Sequence, residues 1–455
     1  MNAVLLSLLA YVMIQFSIGA WVSRRMTNEQ DYILAGRSLG PGLVTFSVFA
    51  SFFGAEAVVA AAGAGYEKGL AGAWVDPFGY AFALLVVGLA LALPLWRRGL
   101  TTFADLFRER YSPGVEKLVV LMLLPGSIFW ASAQIRAFGQ VLSANSTLSL
   151  TLAISIAAVL VAGYSVVGGL LADAVTDVIQ GLALIIGLII LVALVLASVG
   201  GVKAGLAAVP AERLSLAHGS DGPLRMLEEL VIPICGTIVS VELISRFLGA
   251  RSGAVAPGGP LVGAGVYMAI GTVPVFLGLV GPTLLPGVPD SEQVVPRLAE
   301  VYMPNTLRIV FVGAIVSAIM STVHSALHAP AVQVSHNIVV RGVPGSSARG
   351  KLWSVRLTVL ALSVVAYALA LGAERIHDLV ETASAFGSAG VFVVTIFALF
   401  TRIGGSLAAY AGLTAGMGVW LVARFLLQYS TPYLLALVCA FAAYLVAALI
   451  ERNRP

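Results

Sequence analysis

Apolar runs of about twenty residues recur from one end of this chain to the other, and they constrain its fold more than any other feature. Each run is long enough to cross the hydrocarbon core of a bilayer. In that solvent the backbone must satisfy its own hydrogen bonds, which leaves helices or a closed barrel. The runs are continuous and do not alternate, so a barrel is excluded. Thirteen spans are expected, at 3–22, 43–66, 75–96, 117–143, 148–166, 175–199, 227–247, 259–284, 305–340, 353–372, 378–400, 405–425 and 431–450. The eighth contains several Gly and Pro residues, and the ninth exceeds one straight crossing. Only 11% of the 455 residues are charged, against about 25% in soluble domains. The chain is therefore an all-α integral membrane protein, and its polar loops leave room for no soluble domain.

Loop charge sets the orientation. With the segment after the first span on the cytoplasmic side, that side collects 17 Lys and Arg residues and the outside 8, Arg136 falling within a span. The N-terminus is thus expected outside and the C-terminus inside a cell membrane. No basic residue precedes the first span and Arg24–Arg25 follow it, the pattern of a retained anchor, not of a cleaved signal peptide. The net charge of +4 follows from this bias. No basic cluster carries interleaved aromatics, so nucleic acid is not an expected partner. Cys235 and Cys439 lie within apolar runs and suggest neither a disulfide nor a zinc site.

Two spans contain breakers beside an acid: Gly54, Gly63 and Gly65 around Glu56 in the second, and Pro233 and Gly236 before Glu242 in the seventh. Each would open a set of five spans, 43–199 and 227–400. Interrupted helices at matching positions of two halves point to a transporter's central site. The repeat symmetry rests on that placement, since the two halves show no direct sequence similarity.

Polar residues at membrane depth usually face a cavity or a partner. Ser321 and Thr322 are adjacent hydroxyls in the ninth span, pointing about 100° apart around the helix. One lipid-facing stripe cannot hold both, and neutral oxygens gathered in a dry place suit a monovalent cation. Asp173 and Asp177 share a helix face, where two carboxylates repel unless a cation or proton intervenes. Glu56 reads either as a structural acid, with Arg136 the deep basic partner, or as a substrate contact. Glu242 reads as a substrate contact or as an acid neutralised by Arg246 one turn on. Asp76 precedes Pro77 and reads as a substrate contact or a first-turn acid. His324 and His328 have the spacing of two ligands to one metal, but no third ligand is near in sequence. Lining a polar cavity or a pH-sensitive gate is their expected role. No nucleophile with an adjacent base and no phosphate-binding loop appears, so the chain is not expected to be an enzyme.

Several segments together resemble the sodium/solute symporter family, which includes sugar, proline, pantothenate and sialic acid carriers. They are DYILAGRSLG from Asp31 to Gly40, GAGYEKG from Gly63 to Gly69, Tyr164 to Leu170 with Thr176 to Gln180, Arg246 to Arg251, and SAIMST from Ser317. The resemblance runs from about residue 3 to 425. It implies a five-plus-five inverted repeat of the leucine-transporter type, with one extra N-terminal span and C-terminal spans over 401–455. It also implies a sodium site built from backbone carbonyls of Ala50, Phe53 and Ala318 and the hydroxyls of Ser321 and Thr322. Some members bind a second sodium through the acid that aligns with Asp177. The family's substrate positions align with Glu56, Ala57, Asp76, Ser240 and Glu242. Ser240 and Val241 replace the amide pair of the sugar carriers and Ala57 offers no side-chain hydrogen bond, so a sugar fits poorly. Three acids around one cavity point instead to a cationic or zwitterionic solute. The expected function is sodium-coupled import by alternating access, with no obligate protein partner. The alternatives are a proton-coupled carrier on the same fold and a transporter-like solute sensor. No signalling domain is expected, because the sequence closes on ERNRP just past the last span.

Overall fold

The computed structural model describes residues 12–14, 16–18, 21–22, 29–144, 146–167, 169–216, 222–341 and 347–452. The first expected span lies largely outside the described residues, and the anchor reading and Arg24–Arg25 with it. Helices account for nearly all the rest. Those that lie in the apolar runs are, in chain order, α1 Pro41–Phe52, α2 Glu56–Lys68, α3 Leu70–Arg97, α4 Pro113–Ala144, α5 Leu150–Val167, α6 Leu170–Ser198, α7 Pro223–Ile238, α8 Val241–Leu248, α9 Val255–Leu284, α10 Asn305–Val340, α11 Ala348–Gly372, α12 Ile376–Ala385, α13 Ser388–Phe400, α14 Ser406–Leu426 and α15 Pro432–Arg452. Among the described residues nine helical segments are long and apolar enough to cross a membrane, and eleven if two bent pairs each count as one span. The shorter α5 lies where the fifth span is expected.

The bent pairs are α1–α2, at 55°, and α7–α8, at 41°. Their breaks have local causes. Phe53 leaves the helical region (φ −87°, ψ 58°) and Gly54 follows it. Val239 ends α7, and the Ser240 hydroxyl then accepts a hydrogen bond from the Leu243 amide (3.3 Å), capping α8. Pro41 and Pro223 begin their helices, where a missing N–H costs nothing. The overlong α10 runs past Pro330 and loosens into a π-helical stretch at Val334–Val340, a common response to a proline inside a helix.

α1 packs between α6 and α9, and α10 packs against α4 and α6, so both broken pairs and α10 meet at the centre of the bundle. The two ends of the bundle differ. At one end, between residues 71–73, 289–292 and 374–378, a cavity of about 600 Å³ opens. At the other end, backbone and side chains close the path. Leu39 bonds to Gly249 and Arg251 (3.1 and 3.0 Å), and the Trp96 indole donates to Ala250 O (2.8 Å). Asn337 donates to Asp105 (3.0 Å) and Glu116 (2.7 Å), and Arg341 pairs with the same two acids.

Candidate functional site

At the α1–α2 break the helix has lost its regular ladder, and α10 supplies the replacement. The Thr322 hydroxyl lies 3.0 Å from Ala50 O and 3.1 Å from Ala318 O. Three of the five expected sodium-site oxygens therefore converge. Gly54 permits this approach: a Cβ there would stand 2.6 Å from Thr322 Oγ1 and 2.8 Å from Gln134 Oε1. Gln134, on α4, accepts from the freed Ala55 amide (2.9 Å). Ser321, though adjacent to Thr322, donates to Asp177 Oδ1. Neutral oxygens at a helix break suit a monovalent cation, because carbonyls and hydroxyls can stand in for its hydration shell.

One turn away the chemistry changes from neutral to charged. Arg246, 1% exposed, pairs with Asp173 and contacts Ser325, and its Nε donates to Ser51 Oγ (3.1 Å). It also stands 3.8 Å from Asp177 Oδ2. Both Asp177 oxygens accept hydroxyl bonds, from Ser321 and from Ser47 (2.5 Å). The cation expected between Asp173 and Asp177 is thus a guanidinium of the chain itself. This corrects the reading of Arg246 as the partner of Glu242: α8 carries it inward to face α6. His324 and His328 stack at 5.2 Å, with Tyr164 and Tyr32 on their outer faces. His324 Nε2 lies 4.0 Å from Asp173. Among the described residues no cluster of three His, Cys, Asp or Glu could hold a metal ion.

The large cavity ends on two acids. Tyr80 donates to Glu56 Oε1 (2.7 Å) and Tyr267 to Asp76 Oδ1 (3.2 Å). The other oxygens, Glu56 Oε2 and Asp76 Oδ2, are buried without a partner. Phe52, Tyr80, Trp130 and Tyr267 form a ring cluster packed behind these acids, with Trp130 edge-on to Phe52 at 5.1 Å and Tyr80 against Tyr267 at 5.9 Å; of the four, Tyr80 lines the cavity. The three acids do not share one cavity. Glu242 and Ser240 line a separate space of about 30 Å³, because the α7–α8 bend turns them away. Glu242 there accepts from Ser127 (2.6 Å) and Ser240 serves as the helix cap. Ser384 borders both spaces. Ala57 is packed in the core, fully buried. Arg136 does not pair with Glu56; it donates to Ala370 O and Glu374 O (3.3 and 2.7 Å). Gln134, Tyr80, Tyr267, Ser47, Ser51 and Ser325 escaped the sequence reading. Gln134, a polar side chain deep in an apolar span, carried a signal; the hydroxyls did not, since lone Ser and Tyr residues are common in membrane helices.

The model of the sodium:solute symporter family matches residues 32–416. The human high affinity choline transporter 1 is 24% identical over 436 residues, covering 91% of this chain and 75% of that protein. The sodium/glucose cotransporter of Vibrio parahaemolyticus is 25% identical over 470 residues, covering 93% and 85%. Among solved structures, a Na+-coupled sialic acid symporter in a substrate-bound outward-open state superposes with a TM-score of 0.86 at 16% identity, covering 98% of this chain and 97% of that one. A nucleobase-cation-symport-1 family transporter in a closed conformation gives 0.63 at 14% identity, covering 94% and 97%. These similarities establish a helical transporter fold, and none of the proteins compared is an enzyme.

Proposed function

This chain belongs to the sodium:solute symporter family, and we propose that it is a sodium-coupled symporter importing a small organic solute with a cationic head group. The observation that carries the solute class is the floor of the large cavity. Two carboxylates there each keep a buried oxygen without a partner, beside the rings of Tyr80 and Tyr267. Unpaired carboxylate oxygens call for a positive charge or a donor, and aromatic faces favour an ammonium. The choline transporters among the relatives support the same class. Glu56 and Asp76 are the proposed solute contacts.

Sodium is proposed to bind through Ala50, Phe53, Ala318, Ser321 and Thr322, tying the α1 break to α10. Asp177 is proposed as the negative neighbour of that site. With Arg246 as its counter-cation, it holds no second sodium. The membrane potential drives sodium inward by about 2.3 kcal/mol per charge per 100 mV. We further propose thirteen spans with the N-terminus outside and the repeats at 43–199 and 227–400. In that orientation the large cavity opens outward and the stitched end is cytoplasmic, an outward-open state from which rocking of the two halves would expose the site inward.

The test is uptake of choline and related ammonium compounds into proteoliposomes of the purified protein, under a sodium gradient with the proton gradient collapsed. Accumulation that needs sodium and is lost in Glu56→Gln is expected. Uptake that persists without sodium supports a proton-coupled carrier, and binding without uptake a sensor.

A further inference from the structure

A second charged group lies in the same cavity, and the proposed cation site does not use it. Arg136, on α4, is 7% exposed and lines the cavity wall. Its Nη1 and Nη2 atoms donate to two backbone carbonyls at the end of α11, and its Nε, buried, has no partner. Those bonds use two of the five N–H donors of a guanidinium and neutralise none of its charge. Among the described residues no carboxylate lies within ion-pair distance of it. The acid nearest in effect, Glu292, is already engaged: its carboxylate accepts from the Ile376 amide (2.9 Å). Burial pushes that carboxyl up to about 7, aided by Asp290 and opposed by the amide, Arg136 and Arg375. A buried arginine with spare donors facing a cavity is suited to a planar carboxylate, which it can hold through two parallel bonds.

The position relative to the floor sets what the two charges can share. Tyr80 lines the floor, and the Trp130 ring packs edge-on behind it at 6.3 Å. Arg136 follows Trp130 on the same helix by six residues, a rise of about 9 Å, and its bond to Glu374 O ties it to the rim at 374–378. Both charges therefore border one continuous cavity, the acids at its end and the guanidinium above them.

We propose that Arg136 is the anion-recognising end of this cavity, so that the transported solute is a zwitterion, its ammonium at Glu56 and Asp76 and its carboxylate at Arg136. The proposal rests on the reading of Glu56 and Asp76 as a cation site. It predicts that a zwitterion with several carbons between its charges is carried in preference to a bare cation or to a zwitterion with one.

The experiment compares sodium-driven uptake of three probes by the full chain in proteoliposomes: choline, glycine betaine and 4-trimethylammoniobutanoate. Each is measured on the unaltered protein and on Arg136→Gln, whose amide can still donate to the Ala370 and Glu374 carbonyls. The expected result is a KM for the longer zwitterion raised roughly ten- to a hundredfold by Arg136→Gln, the range for losing a charged hydrogen bond, with the choline KM changed less than about twofold. The thermal melt of the variant should stay close to the original. If choline is carried while neither zwitterion is, or if the substitution alters all three probes alike, the floor reading stands and the Arg136 assignment is overturned. If none of the three is carried by either protein, the floor reading has failed and the assignment falls with it.

Discussion

Thr322 and Ser325 lie three residues apart on α10, yet they face opposite electrostatic worlds. Around Thr322 every partner is neutral: the Ala50 carbonyl near the helix break and the Ala318 carbonyl of α10 itself, with Gly54 leaving the space. Around Ser325 the partners are Asp173 and Arg246, both almost fully buried. Ser321 bridges the two by donating to Asp177. A site for a mobile cation must release its ion, so dipoles and hydroxyls serve better than full charges. A buried carboxylate pair needs a permanent cation, and the chain provides one. The contrast teaches that the exchangeable charge and the fixed charge are kept about one turn apart along one helix.

The largest effect should come from removing the fixed charge. Arg246→Met would leave Asp173 and Asp177 buried without a counter-ion, at a cost of about 3–5 kcal/mol. A thermal melt in detergent should fall sharply, and adding Asp173→Asn should restore part of the loss. No recovery in the double variant would mean that Arg246 acts mainly through Ser51 and Ser325.

On the neutral side, Gly54→Ala drives a methyl group into Thr322 and Gln134, and overpacking of this kind typically costs about 1–3 kcal/mol. Sodium-driven uptake should fall by about tenfold or more while the melt drops less than for Arg246→Met. Equal uptake in the two proteins would show that the close approach is dispensable. Thr322→Ala should raise the sodium concentration for half-maximal uptake by about tenfold, and Ser321→Ala by less, because Ser321 is shared with Asp177. The reverse order would move the ion toward the charged side. The sodium dependence should stay hyperbolic, with one ion per cycle; a sigmoidal curve would mean that Arg246 yields its place to a second sodium.

The smallest effect lies outside both regions and serves as their control. Glu292, at the cavity mouth, has its carboxyl pushed up to about 7, chiefly by burial. The folded state therefore holds this proton more tightly than the unfolded chain does. Stability is unaffected well below the ordinary glutamate value and falls as pH rises from there to about 7. Glu292→Gln keeps an acceptor for the Ile376 amide and should flatten that slope, as melts at pH 5 and 8 would measure, without moving the sodium dependence. An unchanged slope would place the titration elsewhere.

Much of the fold was legible because a bilayer leaves few choices for a backbone. Over the described residues nine to eleven of the expected spans meet helices long and apolar enough to cross a membrane, and both spans flagged by Gly or Pro beside an acid are bent. The Ser321–Thr322 pair was legible for the same reason, since two hydroxyls in hydrocarbon demand an explanation. The partition of the acids was not. Glu56, Asp76 and Glu242 look alike along the chain, but a bend of 41° between α7 and α8 puts Glu242 in a different space. Gln134, whose side chain meets the break from 79 residues away, is legible only as a polar residue lacking a reason.

By itself the sequence determined that this chain is a bundle of membrane-spanning helices with two interrupted ones, and which side chains had to be hidden from lipid. Hydropathy and helix-breaking residues act locally, so they can be read along one dimension. Only the tertiary structure decided which hidden group answers which: Arg246 to Asp173, Thr322 to Ala50, the free oxygens of Glu56 and Asp76 to an open cavity. Those pairings join residues tens to hundreds of positions apart. Charge and hydrogen bonding act across a few ångströms of space, and the order of the chain does not record that distance.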